Sequence, residues 1–240
     1  MAEIEGELPR LSGGAGAEPP SLIRSARVTL ETVAVSEYRT GAGVVLYDGP
    51  GIQPSATLTL ETDIGTLNLS NWSNFSIGNR PGDFTETDLN VSFRRDIGKD
   101  AAVSVGFNNF FFPGSDEGLD TVQEFSLGIH ATSVTLPTSL TISRSLSGFE
   151  YTQAQLSASY PIKLTEQIVF QPSIQLSAAL DRGDLYSGEG LVSGSVAGTL
   201  LVNPWQEGPT VWGAVEYFNG FDEPAIPDGF TARFGISWSF

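Results

Sequence analysis

The last ten residues, Thr231–Phe240, read TARFGISWSF and alternate between two kinds of side chain. In an extended strand, successive side chains point to opposite faces. One face then carries Ala232, Phe234, Ile236, Trp238 and Phe240, and the other carries Thr231, Arg233, Gly235, Ser237 and Ser239. A face with three aromatic rings is too apolar for water, and the charge on the opposite face suits few dry cores. The pattern predicts a strand whose apolar face contacts lipid.

The same two-residue period runs through most of the chain before this stretch. In DLNVSFRR, Leu89, Val91 and Phe93 alternate with polar side chains, and EFSLGIH repeats the pattern. Several runs exceed the about five to six residues of an average strand and reach the about nine to eleven that a tilted membrane-spanning strand needs. We therefore predict strands over residues 26–37, 55–62, 65–75, 85–96, 101–112, 121–133, 136–145, 151–162, 167–180, 190–202, 210–219 and 230–240.

These strands predict one closed structure. An even strand number is typical of bacterial single-chain membrane barrels, in which long outer connections alternate with short turns such as DIG and KLTE here. Strands can face hydrocarbon only if every backbone group is paired, which a closed barrel achieves. The predicted fold class is all-β, an antiparallel up-and-down transmembrane β-barrel of about 12 strands over residues 26–240. Residues 1–25, rich in Gly, Pro and Glu, are predicted to form a flexible N-terminal tail or a plug, anchored by Leu8, Leu22 and Ile23.

Composition excludes several functions. The 240 residues have a formal charge of −16, no Cys and one His. Because the basic residues are few and scattered, nucleic acid is excluded as a partner. Without Cys there are no disulfides or thiolate metal sites, and no apolar run approaches the about 18 residues of a membrane helix. The acidic segments GSDEGLD and NGFDEP lack the spacing of a dedicated calcium loop. We predict no cofactor and no specific metal site.

The C-terminal stretch also resembles a known signal. A terminal Phe with aromatic or aliphatic residues at alternate positions, here Phe234, Ile236, Trp238 and Phe240, is similar to the C-terminal signature of bacterial outer-membrane β-barrels. The resemblance implies export to the periplasm, insertion by the barrel-assembly machinery and residence in the outer membrane. The segments LETDIGTLNLSNWSNF and ETDLNVSFRRDIG further resemble a family of small uncharacterised exported barrels.

A soluble β-sandwich or jelly roll is the alternative fold, in which the apolar faces meet across a core. The scarcity of tryptophan favours it, because membrane barrels carry aromatic girdles at both interfaces. Tyrosines near the predicted strand ends offset this scarcity as interface anchors. They are Tyr47, Tyr151, Tyr160, Tyr186 and Tyr217.

Strand parity predicts which polar side chains face the lumen. The candidates are Arg27, Glu31, Glu61, Glu86, Asp88, Arg94, Glu124, Gln153, Gln171, Gln175 and Arg233. These side chains either line a narrow aqueous path for small solutes or neutralise one another in a network that seals it. In a channel, inward carboxylates and acidic outer loops would favour cations.

Two other functions remain open. A structural or partner-binding barrel would conduct nothing and display its acidic outer loops, which divalent cations could bridge to lipopolysaccharide. An outer-membrane enzyme with a Ser nucleophile would need a base such as His, and His130 is the one His in the chain. Because parity places His130 inside the barrel near its periplasmic end, we predict that the protein is not an enzyme.

Overall fold

The computed structural model describes residues 22–77, 84–113, 121–132, 136–181, 183, 186, 189–205, 208–221 and 226–240. Its regular elements are β-strands. They are β1 (Ile23–Val35), β2 (Tyr38–Arg39), β3 (Val45–Tyr47), β4 (Gly51–Thr62), β5 (Thr66–Ser76), β6 (Phe84–Ile97), β7 (Ala101–Phe111), β8 (Thr121–Ala131), β9 (Thr138–Ser147), β10 (Thr152–Ser159), β11 (Ile162–Lys163), β12 (Ile168–Ala179), β13 (Gly190–Val202), β14 (Thr210–Asn219) and β15 (Gly229–Ser239). In the part of the chain described here, no helix has the length and hydropathy to span a membrane.

The long strands form one closed antiparallel barrel. Long strands that follow each other in sequence pair with each other, and β1 pairs with β15 to close the barrel. Both β10 and the short strand β11 pair with β12. Strands β2 and β3 form a separate small hairpin. The barrel therefore has twelve long strands, which confirms the predicted fold class and strand number. The tail and plug prediction stays open, because Ile23 is already the first residue of β1 and residues 1–21, Leu8 among them, lie outside the described residues.

The apolar faces of the strands lie on the outside of the barrel. On β8, Leu127 is 56% exposed and Ile129 is 62% exposed, and they pair with Val105 and Val103 of β7. The interior is polar instead, since Glu86 and Asn74 are almost fully buried. A soluble sandwich would bury the apolar faces against each other, so that alternative is wrong. The exposed apolar surface is a belt that lipid tails can cover.

The C-terminal strand belongs to this belt. Phe234, Ile236 and Trp238 are each about half exposed on the outer face of β15. Phe240, directly after the strand, is 64% exposed, and Trp238 stacks on it at 5.3 Å between ring centroids. The alternate residues of β15 face inward, and Thr231 is 4% exposed. The two faces read from TARFGISWSF are therefore the two faces of the barrel wall. Their role as an assembly signal stays a prediction.

Candidate functional site

The first long connection, residues 36–50, folds back into the barrel interior. We call it the lumen hairpin; it contains β2, a turn around Gly41 and β3. Ser193 on the far wall donates a hydrogen bond from Oγ to the Ala42 carbonyl at 2.6 Å, and Gln175 donates to the Gly41 carbonyl. The tip of the hairpin thus contacts β12 and β13, on the opposite side of the barrel from β4. It narrows the lumen.

Small residues allow the hairpin tip to turn inside the barrel. In TGAGV, residues 40–44, the Thr40 amide donates to the Val44 carbonyl at 2.9 Å and the Gly43 amide donates to the Thr40 carbonyl at 2.9 Å. Gly43 has a φ of +93°, and a Cβ there would lie 2.8 Å from the Phe218 ring. Ala42 and Val44 pack into a buried apolar cluster that includes Ile226. Both the backbone and the packing therefore require this sequence at the tip.

Arg39 holds one side of the hairpin to the wall formed by β14 and β15. Its guanidinium pairs with Glu37, donates to the Pro227 carbonyl at 2.6 Å and to the Gly43 carbonyl at 3.3 Å, and lies 5.3 Å from the Phe218 ring centroid. Only 5% of the Arg39 side chain is exposed. Hydrogen bonds from a buried charge are stronger than those between neutral groups. Arg39 is therefore the main polar anchor of the hairpin.

Tyr38 holds the other side of the hairpin to the wall formed by β5 and β6. Its ring packs on Trp72 with 5.2 Å between centroids. Burial, and after it the neighbouring Glu86 carboxylate, raise the pKa of the Tyr38 phenol far above its ordinary value. The phenol stays protonated and neutral beside a carboxylate.

The hairpin separates two cavities. The first, of about 460 Å³, lies between the hairpin and the wall from β5 to β10, and we call it the carboxylate cavity after Glu86, Asp88 and Glu124 in its lining. The second, of about 380 Å³, has Arg39 and Arg233 in its lining, and we call it the arginine cavity. Residues 38–41 line both. The hairpin is thus the partition between an acidic and a mixed-charge half of the lumen.

The three acids of the carboxylate cavity are not equivalent. Glu124 accepts from Asn108 Nδ2 at 2.8 Å and from the Tyr151 hydroxyl at 2.7 Å, so both of its oxygens are used. Glu86 and Asp88 are 2% and 7% exposed, and Glu86 Oε2 and Asp88 Oδ1 have no hydrogen-bond partner among the described residues. Buried carboxylate oxygens usually have partners, since leaving one unpaired is costly.

The charges of the arginine cavity, in contrast, neutralise one another. Arg233 Nη2 lies 2.5 Å from Glu216 Oε2, and Glu216 Oε1 accepts from Ser195 Oγ at 2.7 Å. Further along the same wall, Trp212 Nε1 donates to Glu31 Oε1 at 2.9 Å. An ion pair of this kind leaves little net charge to select solutes.

A third cavity, of about 380 Å³, lies near the short turns and contains His130 and Arg94 in its lining. His130 Nε2 is 2.9 Å from Ser104 Oγ. The nearby Arg94 cation opposes the positive charge that a general base acquires during catalysis. The pair is therefore a poor nucleophile and base. Ser157 and Ser173 line this cavity and also the arginine cavity, so polar surface continues between them.

The predicted lumen residues occupy inward strand positions. Arg27 is paired with the buried Thr59, and Gln171 with Thr199, which lines the arginine cavity. Cross-strand partners lie on the same face of a sheet. The structure brings six of the eleven candidates to the carboxylate and arginine cavities and one, Arg94, to the third cavity. The six are Glu86, Asp88, Glu124, Gln153, Gln175 and Arg233. The other four, Arg27, Glu31, Glu61 and Gln171, lie elsewhere on the barrel strands.

Several functional residues were missed or misplaced by sequence reasoning. Tyr151 and Tyr186, predicted as interface anchors, lie inside the barrel, where Tyr151 bonds Glu124 and Tyr186 donates to Gln153 Oε1 at 2.6 Å. Tyr47 also turns inward to Ser76. Tyr47 lies in the hairpin and Tyr186 in a connection, where no barrel strand fixes the face of a side chain. Tyr151 begins the predicted strand 151–162, and its parity with Gln153 already indicates the inner face. Trp72 and Trp212 are inward too, at even positions of β5 and β14 that parity could have identified.

Comparison with known proteins supports the fold. Neither the protein-family models nor the curated protein sequences give a match. Among solved structures, the chain is similar to the KdgM porin, with a TM-score of 0.56 and 11% identity over 88% of this chain and 99% of that one. It is similar to the NanC porin, with a TM-score of 0.56 and 13% identity over 87% and 98%.

A third similar structure is an outer-membrane channel from Pseudomonas putida F1, with a TM-score of 0.52 and 9% identity over 94% of this chain and 100% of that one. At these identities the likeness concerns the fold. Together with the apolar belt, it confirms that the chain has the fold of a bacterial outer-membrane β-barrel.

Proposed function

We propose that this protein is an outer-membrane channel for passive diffusion of small solutes, with the lumen hairpin as its constriction and with a preference for cations. The observation that carries the proposal is the series of polar cavities through the barrel. Neighbouring cavities share lining residues, from the carboxylate cavity past residues 38–41 to the arginine cavity and on through Ser157 and Ser173 to the third. We infer that this series is the path of water and small solutes.

The cation preference follows from the distribution of charge. Glu86, Asp88 and Glu124 line the carboxylate cavity, and Arg39, which also lines it, is paired with Glu37. In the arginine cavity, Arg233 is paired with Glu216. Among the described lining residues of these two cavities, the charge without an opposite partner is therefore that of acidic side chains, and a negative field in a narrow pore attracts cations and repels anions.

Conductance of the purified protein in planar bilayers tests this function. We expect discrete current steps and, across a KCl gradient, a reversal potential of the sign for a cation-selective pore. Anion selectivity would contradict the charge argument. The absence of steps, with a barrel shown to be folded by the difference in migration between unheated and heated gel samples, would contradict the channel itself.

A non-conducting barrel is the second candidate. The apolar cluster of Ala42, Val44 and Ile226 anchors the hairpin as a fixed part of the interior, as in a sealed scaffold. In that function the acidic outer loops would bind a partner, or lipopolysaccharide through divalent cations. Silent bilayers with an intact barrel would favour it. We propose no catalytic role, because Arg94 lies beside the Ser104 and His130 pair.

A further inference from the structure

Two buried acidic side chains of the carboxylate cavity have no positively charged partner among the described residues. Glu86 and Asp88 stand at alternate positions of β6, so both side chains point to the same cavity. Each is more than nine-tenths buried, and each has one oxygen without a hydrogen-bond partner among the described residues. Glu124, in the same lining, has both oxygens occupied by protein donors. The unpaired oxygens are therefore specific to the β6 pair.

No arginine of the cavity compensates this pair. Arg39 lines the cavity, but its guanidinium is committed to Glu37, to two backbone carbonyls and to the Phe218 ring. A buried carboxylate is stabilised by a positive charge close to it. A cation from outside the protein would supply this charge.

The other walls of the cavity are aromatic. Trp72 and Tyr38 form a tilted ring pair beside the two carboxylates, and Phe110, Phe112 and Tyr151 also line the space. Aromatic faces attract organic cations, and quaternary ammonium ligands are bound in this way. A volume of about 460 Å³ is within the range of small-molecule sites.

The same geometry disfavours a bound metal ion. Among the described residues, no group of three or more His, Asp and Glu side chains is placed to hold one. Calcium takes about six to eight oxygen ligands, and magnesium about six in a strict octahedron. Two carboxylates in an aromatic cavity of this size suit a larger cation that makes many weak contacts.

We propose that the carboxylate cavity is a binding site for a small organic cation, with Glu86 and Asp88 as its counter-charges and Trp72 and Tyr38 as its aromatic walls. The inference rests on the proposed function for its role, because the site would lie on the path of a permeating solute. Binding itself can be measured without conductance, so the two proposals fail independently.

The test is isothermal titration of the purified barrel, in uncharged detergent and moderate salt, with choline. Its uncharged isostere 3,3-dimethylbutanol has the same shape without the charge. We expect choline to bind and the isostere to bind at least about tenfold more weakly, which corresponds to about 1.4 kcal/mol. Equal affinities for choline and the isostere, or no binding of choline, would overturn the proposal. This comparison needs only the wild-type protein.

Variants assign the binding to the site. We expect E86Q and D88N each to weaken choline binding, and the double variant to weaken it at least about tenfold. E166Q is the matched control, since it removes the same charge from an exposed residue paired with Lys163 outside the lumen. Choline binding that E166Q and the double variant change equally would refute the site.

A third titrant separates the metal alternative. Calcium binding that is lost in the double variant, without choline binding in the wild type, would overturn the proposal in favour of a metal site. Choline binding by a protein that is silent in bilayers would support this proposal and contradict the channel. Current steps without choline binding would support the channel and contradict the binding site.

Discussion

Replacing Arg39 with Met should release the lumen hairpin and open the pore. The substitution keeps much of the side-chain length but removes the ion pair with Glu37, the hydrogen bonds to Pro227 and Gly43, and the contact with the Phe218 ring. It also leaves Glu37, which is 17% exposed, with the Thr231 hydroxyl as its remaining partner.

The magnitude follows from these contacts. Each hydrogen bond from a charged group contributes about 1.5–3 kcal/mol, and removing one partner of a buried ion pair costs about 3–5 kcal/mol. These contributions overlap, so we take about 3 kcal/mol as the loss of docking free energy. That loss lowers the ratio of docked to undocked hairpin about 150-fold.

Single-channel recording is the assay. In R39M we expect frequent transitions to a conductance level above that of the wild type, because the undocked hairpin no longer narrows the lumen. R24M is the matched control: Arg24 forms an ion pair with Asp63 in which both side chains are well exposed, and such pairs contribute about 0–1 kcal/mol. If R39M shows the same conductance levels as R24M and the wild type, either Arg39 does not hold the hairpin or the hairpin does not limit the current.

Three further predictions follow from single residues. G43A should undock the hairpin and expose the Arg39–Thr40 bond to trypsin, because the new Cβ would lie 2.8 Å from Phe218. G98A is the control, since Gly98 has a φ of +70° but a Cβ there would have nothing within 4 Å, so only backbone strain is added. Equal cleavage of the two variants would refute the clash. L127K, which places a charge on the lipid face, should lower the free energy of unfolding in vesicles by about 2–4 kcal/mol, while L164K, in an exposed connection, should change it little; equal effects would contradict the belt. Tyr38 should stay neutral at pH 11, because its pKa is raised in the folded state. The unfolded chain loses this proton above about pH 10, so the contribution of Tyr38 to stability is complete below about pH 10 and declines above it. Folded wild type and Y38F should then show equal tyrosinate absorbance at pH 11, and an excess in the wild type would contradict the burial.

The barrel walls could be predicted from the sequence because their information is local. A period of two, repeated from strand to strand, defines an inner and an outer face, and it predicts Glu86 and Leu127 on opposite sides; in the structure Glu86 is 2% exposed and Leu127 is 56% exposed. Boundaries were less exact where proline interrupts the pattern: β4 starts at Gly51 and contains Pro54, although the prediction began the strand after it. A strand can retain a proline where the missing amide is not needed for pairing.

The hairpin could not be predicted because its contacts are distant in sequence. Nothing in TGAGV indicates that Ala42 will accept a hydrogen bond from Ser193. The turn chemistry of Gly43 was readable, but turn residues are equally common in solvated loops. Tyr151 was misassigned although it begins the predicted strand 151–162 with the same parity as Gln153, and its hydroxyl donates to Glu124 inside the barrel. The tertiary fold positions these residues.

We propose that residues 36–50 narrow a conducting lumen inside a lipid-embedded barrel. The most direct test replaces residues 39–46 with two glycines and compares single-channel conductance in planar bilayers with that of the wild type. We expect a folded barrel with a larger conductance and a weaker cation preference, because the partition beside the carboxylate cavity is gone. A folded variant with the conductance and selectivity of the wild type would contradict it.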